Sequence, residues 1–282
     1  MTSYRTIDID GTDIFYREAG TPGNPVLLLL HGFPASSHMF RDLIPLVAGK
    51  YHVIAPDYPG FGFSAAPAPS EFTYTFDRLA GIVDGLIDAL ELCNITLYLH
   101  DYGGPVGFRV ATRRPELIAG IVVQNAVAHL DGVSDALAPL MRYWEERSPE
   151  HEAAVRTMLV YDTTKFQYLH GASNPERVSP DGYTLDQARL DRPGNDAIQL
   201  ELLYDYRTNP AQFDTWQAYL RTKRPPTLVL WGKNDPFFTT AGAEAFHRDN
   251  PATQVRYFDG GHFALEEHVE AMAEAILAFR KT

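Results

Sequence analysis

The chain has 282 residues, enough for one large hydrophobic core or for a core with a smaller added unit. Its formal net charge of −12 argues against binding to nucleic acid or to an anionic membrane surface, because phosphates carry the same sign. A single cysteine, Cys93, excludes an intrachain disulfide and favours a reducing compartment. Residues 1–10 are polar, and the apolar run at 26–30 is too short to span a bilayer. We therefore expect a cytoplasmic protein that does not enter the membrane.

Strand-like and helix-like segments alternate along much of the chain. The spacing of apolar residues predicts helices at residues 76–90 and 104–114. The predicted strands of the first half are residues 4–9, 12–17, 26–30, 52–55, 95–99 and 121–123. Beyond residue 222 the pattern predicts strands at 226–231 and 253–258 and helices at 241–249 and 266–280. This alternation is typical of an α/β fold, with a mostly parallel central sheet flanked by helices on both faces.

The middle of the chain has a different character. Strand signals fade after residue 128, and proline, aromatic and charged residues mix in helix-like stretches at 135–146 and 197–206. We predict a core domain of residues 1–128 and 223–282 with an inserted helical cap of residues 129–222. Such an insertion would form a lid over the carboxyl ends of the strands, where sheets of this kind bind ligands.

Three residues with catalytic potential follow three of the predicted strands. The strand at 95–99 runs into His100-Asp101-Tyr102-Gly103-Gly104 and then into a helix, a turn that would hold Asp101 up at the mouth of the sheet. Asp235 follows the strand at 226–231, and His262 follows the strand at 253–258. Any one of these three residues, considered by itself, could have a structural role. The order nucleophile, acid, histidine, each just past a strand end, is that of a hydrolase triad, and no G-x-S-x-G motif supplies a serine.

These motifs resemble those of the α/β-hydrolase-fold superfamily in its aspartate-nucleophile branch, the epoxide hydrolases first and the haloalkane dehalogenases next. His31-Gly32-Phe33-Pro34 is similar to the oxyanion loop of epoxide hydrolases. One departure is Leu99, because many members have glycine at this position, two residues before the nucleophile. The resemblance implies that backbone N–H groups of Phe33 and Tyr102 form the oxyanion hole. No Cys/His cluster has metal-ligand spacing and no phosphate loop is present, so we expect neither a metal nor another cofactor.

An aspartate nucleophile suits attack on an sp³ carbon. A serine would leave an ether there, whereas a carboxylate leaves an ester whose carbonyl carbon water can attack. His262 would take the proton from that water, with Asp235 fixing its tautomer. We expect Asp101 to be ionised at neutral pH without special tuning, because the reference pKa of a carboxyl is about 4.

The leaving group depends on other residues. A halide is usually held by N–H donors, but Tyr102 follows the nucleophile where dehalogenases have tryptophan, and Phe33 stands where they often have asparagine. An epoxide oxygen needs a proton, which a phenol can donate. Segments 203–207 and 166–169 resemble the tyrosine segments of an epoxide hydrolase cap, which implies Tyr206 and Tyr168 as donors. The competing candidates are Tyr161 and Tyr204.

The predicted activity is therefore hydrolysis of a small or medium apolar epoxide to a vicinal diol, through a covalent alkyl-enzyme ester on Asp101. One alternative is a haloalkane or haloacid dehalogenase with the same nucleophile. Another is a ligand-binding protein without catalysis, which would have no use for a water-activating histidine. The expected partners are a small-molecule substrate and water, and the sequence leaves a homodimer open.

Overall fold

A computed structural model of the chain describes residues 1–279, so the predicted helix end at Arg280 lies outside the described residues. The described part contains one eight-stranded sheet, in the order β1-β2-β4-β3-β5-β6-β7-β8. Its strands are β1 (Ser3–Ile9), β2 (Thr12–Ala19), β3 (Val26–Leu30), β4 (His52–Pro56), β5 (Ile95–His100), β6 (Ile118–Gln124), β7 (Thr227–Gly232) and β8 (Gln254–Phe258). β2 pairs antiparallel with β1 and β4, and all other neighbours are parallel. The predicted α/β architecture is confirmed, with strand ends moved by a few residues.

The central strands are buried on both faces, which explains their continuous apolar sequences. Every residue of β3 is buried, and β3 pairs with β5 so that Leu28 lies opposite Leu97 and Leu30 opposite Leu99. Side chains alternate between the two faces of the strand. Leu28 and Leu30 belong to one hydrophobic cluster, and Leu27 belongs to a second one. The sheet therefore separates two cores, and the parallel strands bring the carboxyl ends of β3, β5, β6, β7 and β8 to one edge.

Helices cover both faces of the sheet and fill the long connection between β6 and β7. The helices of the described chain are α1 (Leu43–Val47), α2 (Phe76–Ala89), α3 (Gly103–Arg113), α4 (Ala138–Glu145), α5 (Pro149–Arg156), α6 (Tyr161–Leu169), α7 (Pro180–Leu190), α8 (Asn195–Asp205), α9 (Phe213–Lys223), α10 (Thr240–Asp249) and α11 (Leu265–Phe279). Within residues 1–279, none of them is long and apolar enough to cross a membrane.

The connection between β6 and β7 is the helical segment that carries α4 to α9. This architecture is consistent with a cap on an α/β core, and short 3₁₀ turns link several of its helices. One of these turns, Tyr206–Thr208, follows α8 directly. The division of the chain at residues 128 and 223 stays a prediction.

Candidate active site

Asp101 lies in a sharp turn between β5 and α3. Its φ angle is +48°, in the left-handed region that residues with a Cβ seldom adopt. The turn needs a small neighbour, because a Cβ on Gly103 would lie 2.2 Å from the carbonyl oxygen of Leu30. The Gly104 amide then donates to the Asp101 carbonyl oxygen at 2.9 Å. This geometry holds the Asp101 side chain at the carboxyl edge of the sheet.

The departure at Leu99 has a packing explanation. A Cβ on Gly107 of α3 would lie only 2.2 Å from Leu99 Cδ2, so the glycine leaves room for the larger side chain. Leu99 is fully buried. The strand therefore carries a leucine without displacing the helix that follows the turn.

Two backbone amides act on the Asp101 carboxylate. The Phe33 N–H donates to Oδ1 at 2.7 Å. Burial raises the pKa of Asp101, while the charge of His262 and hydrogen bonds from the Phe33 and Tyr102 amides lower it, and the net shift is upward. The sequence-based expectation that no tuning is needed was therefore incomplete: a buried carboxyl depends on these partners to ionise.

His262 connects Asp101 to Asp235. Its Nδ1 lies 2.8 Å from Asp235 Oδ2, and its Nε2 lies 3.8 Å from Asp101 Oδ2. Burial lowers the pKa of His262, but the charge and hydrogen bond of Asp235, together with the charge of Asp101, outweigh it, so the pKa lies above its usual value. An Nδ1–H that donates to Asp235 leaves Nε2 as the basic nitrogen facing Asp101. Such a pair can take a proton from a bound water.

Besides His262, three donors fix Asp235. The Phe237 and Phe238 amides donate to its Oδ1 at 2.8 and 3.1 Å, and Asn125 Nδ2 donates to its Oδ2 at 2.8 Å. Asn125 also accepts the Gly232 amide at 2.9 Å, which ties the end of β6 to the end of β7. Asn125 was not among the site residues predicted from the sequence. Its polar amide directly after a strand was the available signal for this supporting role.

A small cavity is lined by Asp101. Both the sheet-bearing part of the chain and the segment between β6 and β7 contribute apolar lining, including Leu137, Met158 and Phe238. Among the described residues, the polar or ionisable side chains at its wall are Asp101, Tyr102, Gln167, Tyr206 and His262. No group of three or more His, Cys, Asp or Glu residues in the described chain could hold a metal ion.

The structure brings Tyr206 to this cavity. The centroid of its ring lies 5.7 Å from that of the Tyr102 ring, and the Trp144 ring stacks on the Tyr206 ring at 5.6 Å. Burial, and then the charge of Asp101, raise the pKa of Tyr206 well above that of a free phenol. The Tyr206 segment, residues 205–209, is held at both ends. Asp205 accepts the Phe76 amide at 2.8 Å, and Arg109 donates to Asn209 at 2.8 Å.

Tyr168 is not brought to the cavity, which corrects the expectation that it is a donor there. Its hydroxyl donates to Asp186 at 2.5 Å, and its ring stacks on Phe263 at 3.9 Å. The adjacent Gln167 lines the cavity instead, a residue that the sequence analysis did not single out. The competing candidates Tyr161 and Tyr204 are not at the cavity wall either.

Comparisons with known proteins agree with this architecture. The family model of the alpha/beta hydrolase fold matches residues 25–269. An uncharacterized hydrolase of Saccharomyces cerevisiae is 45% identical over 95% of this chain and 93% of its own length. A haloalkane dehalogenase of Psychrobacter cryohalolentis is 30% identical over 94% of this chain and 86% of its own length.

Solved structures extend the likeness. The haloalkane dehalogenase DbeA from Bradyrhizobium elkani superposes with a TM-score of 0.81 at 26% identity, covering 99% of this chain and 97% of its own. The epoxide hydrolase CorEH has a TM-score of 0.78 at 21% identity over 99% and 98% of the two chains, a likeness of fold alone. The chain therefore belongs to the alpha/beta hydrolase fold family, and it is a hydrolase.

Proposed function

We propose that this hydrolase converts a small or medium apolar epoxide to a vicinal diol through a covalent ester on Asp101. The observation that carries the proposal is the phenol of Tyr206 at the wall of the cavity that also contains Asp101 and His262. A phenol can protonate the oxygen released by ring opening, a proton that a departing halide does not need. The apolar remainder of the wall suits the carbon skeleton of such a substrate.

In the first step, Asp101 Oδ2 attacks a ring carbon, and the bond between that carbon and the ring oxygen breaks. The ring oxygen takes the Tyr206 proton, which leaves a hydroxyalkyl ester and a tyrosinate. The negative charge of Asp101 contributes to the raised pKa of Tyr206. That charge disappears when the ester forms, so the phenol becomes a stronger acid as the alkoxide develops.

In the second step, water attacks the Asp101 ester carbonyl carbon while His262 Nε2 takes its proton. The oxyanion forms at Oδ1, which already accepts the Phe33 amide at 2.7 Å. Such donors are worth roughly 3 kcal/mol each to the transition state. Collapse of the intermediate breaks the ester bond, and the leaving alkoxide takes the proton from His262 to give the diol. The second water proton passes from the Asp101 carboxyl to the Tyr206 oxygen, so the net reaction adds one water to the epoxide.

The alternative is a dehalogenase that forms the same ester with release of halide. The names of several relatives favour it, including the Psychrobacter cryohalolentis protein. Against it, none of the three tryptophans lines the cavity in the described chain. The indole N–H of Trp144 donates to the Leu203 carbonyl at 2.8 Å, and that of Trp231 donates to the Phe238 carbonyl at 3.2 Å, so neither is free to hold a halide.

Replacement of Tyr206 by Phe tests the assignment, because it removes a proton donor and keeps the ring. With styrene oxide we expect ester formation to slow roughly tenfold to a thousandfold, while hydrolysis of the ester keeps its rate. Stopped-flow quenching of Trp144, which stacks on Tyr206, measures the first step directly.

The matched control is Tyr161→Phe, at an exposed tyrosine of the same inserted segment, which should keep the parent rate. Halide release from 1-bromobutane is measured in parallel. An unchanged rate of ester formation in the Tyr206 variant, with halide released by the parent enzyme, would assign the chain to the dehalogenase alternative.

A further inference from the structure

The amide of Gln167 is a polar group at the cavity wall that the two chemical steps do not use. Gln167 is 3% exposed, and its Nε2 has no hydrogen-bond partner among the described residues. A buried amide without a partner is unfavourable, because the water it loses on folding is not replaced. A substrate that completes this hydrogen bond would bind better than one that does not.

Gln167 and Tyr206 belong to different elements of the inserted segment. Phe166, next to Gln167 on α6, has its ring 6.4 Å from that of Phe237, and the Phe237 ring is 5.6 Å from that of His262. Tyr206 instead contacts the ring of Tyr102 at 5.7 Å. The amide and the phenol therefore reach the cavity from different elements, α6 and the turn that follows α8. Two polar groups from different elements suit two different atoms of one ligand.

We propose that Gln167 binds a second oxygen atom of the substrate, so that the preferred substrates are epoxides with an ether, hydroxyl or carbonyl oxygen beside the ring. This inference rests on the proposed function. An ether or carbonyl oxygen would accept from the amide NH₂, and a hydroxyl could also donate to the amide oxygen. Apart from Gln167 and the side chains of Asp101, Tyr102, Tyr206 and His262, the wall is apolar.

Two substrates that differ by one atom test the proposal. Glycidyl methyl ether and 1,2-epoxypentane have the same chain length, with an oxygen in place of one CH₂. We compare kcat/KM for both in the parent enzyme and in Gln167→Leu, which removes the amide and keeps most of the volume. The ratio of ether to hydrocarbon should fall roughly threefold to tenfold in the variant, the range of one neutral hydrogen bond. Turnover of 1,2-epoxypentane should be kept and serves as the check on folding.

Gln167→Met, which matches the length of the side chain, should lower the ratio to the same extent. An unchanged ratio in both variants would overturn the proposal. An equal loss on both substrates in both variants would also overturn it, because Gln167 would then serve the reacting centre or the fold. If the parent enzyme hydrolyses neither epoxide, the proposed function itself fails, and this inference fails with it.

Discussion

At the scale of single residues, the two carboxylate oxygens of Asp101 have different surroundings. Oδ1 accepts the Phe33 amide at 2.7 Å, whereas Oδ2 lies 3.8 Å from His262 Nε2. Attack through Oδ2 would leave Oδ1 as the ester carbonyl oxygen, already bound by a donor that stabilises an oxyanion. His262 is then needed for the second step and not for the first.

Replacement of His262 by Gln should therefore trap the ester. Steady-state turnover of styrene oxide should fall roughly a hundredfold or more, because no base activates the water. Mass spectrometry of the intact variant should show an added substrate mass, which peptide mapping assigns to Asp101. The Asp101→Asn/His262→Gln double variant should stay unmodified. Lost turnover without any adduct would mean that His262 acts before the ester forms.

At the scale of elements, the strands could be predicted and most inserted helices could not. The nearly continuous apolar runs of β3 and β5 predict strands, because a strand that is buried on both faces of a sheet is apolar along its whole length. α6 and α7 pack through polar pairs instead, such as Thr164 Oγ1 donating to Gln187 at 2.7 Å. Without a clear apolar stripe, the sequence cannot say which of two adjacent residues faces the cavity. Tyr168 was therefore predicted from the family resemblance alone, and Gln167 was overlooked.

The polar contact between α7 and the core predicts that the stability of the folded protein depends on pH. Asp186 is fully buried, accepts the Tyr168 hydroxyl at 2.5 Å and lies 3.4 Å from the Ser36 hydroxyl of the core. Burial raises the pKa of Asp186 to about 8. Its unfolded value is about 4, so the protonated carboxyl contributes stability that is full below pH 4 and is lost as the pH rises through 8.

Asp186→Asn should remove this dependence, because an amide cannot ionise. We expect the gain in unfolding free energy over the parent to grow between pH 4 and pH 8, reaching about 1 kcal/mol or more, a few degrees in Tm. Urea unfolding followed by tryptophan fluorescence at several pH values measures it. Asp181→Asn, at an exposed aspartate of the same helix, is the control and should not show this growing gain. A gain that shrinks as the pH rises would contradict the argument.

At the scale of the whole molecule, one helix serves both sides of the cavity. α3 begins directly after Asp101, and its buried Arg109 donates to Asn209 at 2.8 Å and to Thr208 at 3.3 Å. Those two residues follow Tyr206 in the inserted segment. The position of the Tyr206 phenol relative to the Asp101 carboxylate therefore depends on the contact between α3 and the residues that follow Tyr206.

Arg109→Met should separate the two chemical steps. Methionine keeps the apolar stem but donates no hydrogen bond, so the Tyr206 segment loses its tie to α3 while Asp101, Asp235 and His262 keep theirs. We expect ring opening to slow roughly tenfold to a hundredfold, the range for a small misplacement of a reacting group, and ester hydrolysis to keep its rate. Single-turnover measurement of both phases distinguishes this selective slowing from a general loss of stability, which would slow both phases together.

Arg113→Met is the matched control. Among residues 1–279, Arg113 pairs with Asp77 and Asp84 of α2, so its replacement should leave both phases unchanged. Equal slowing of both phases by Arg109→Met would mean that Arg109 supports the fold as a whole rather than the position of Tyr206.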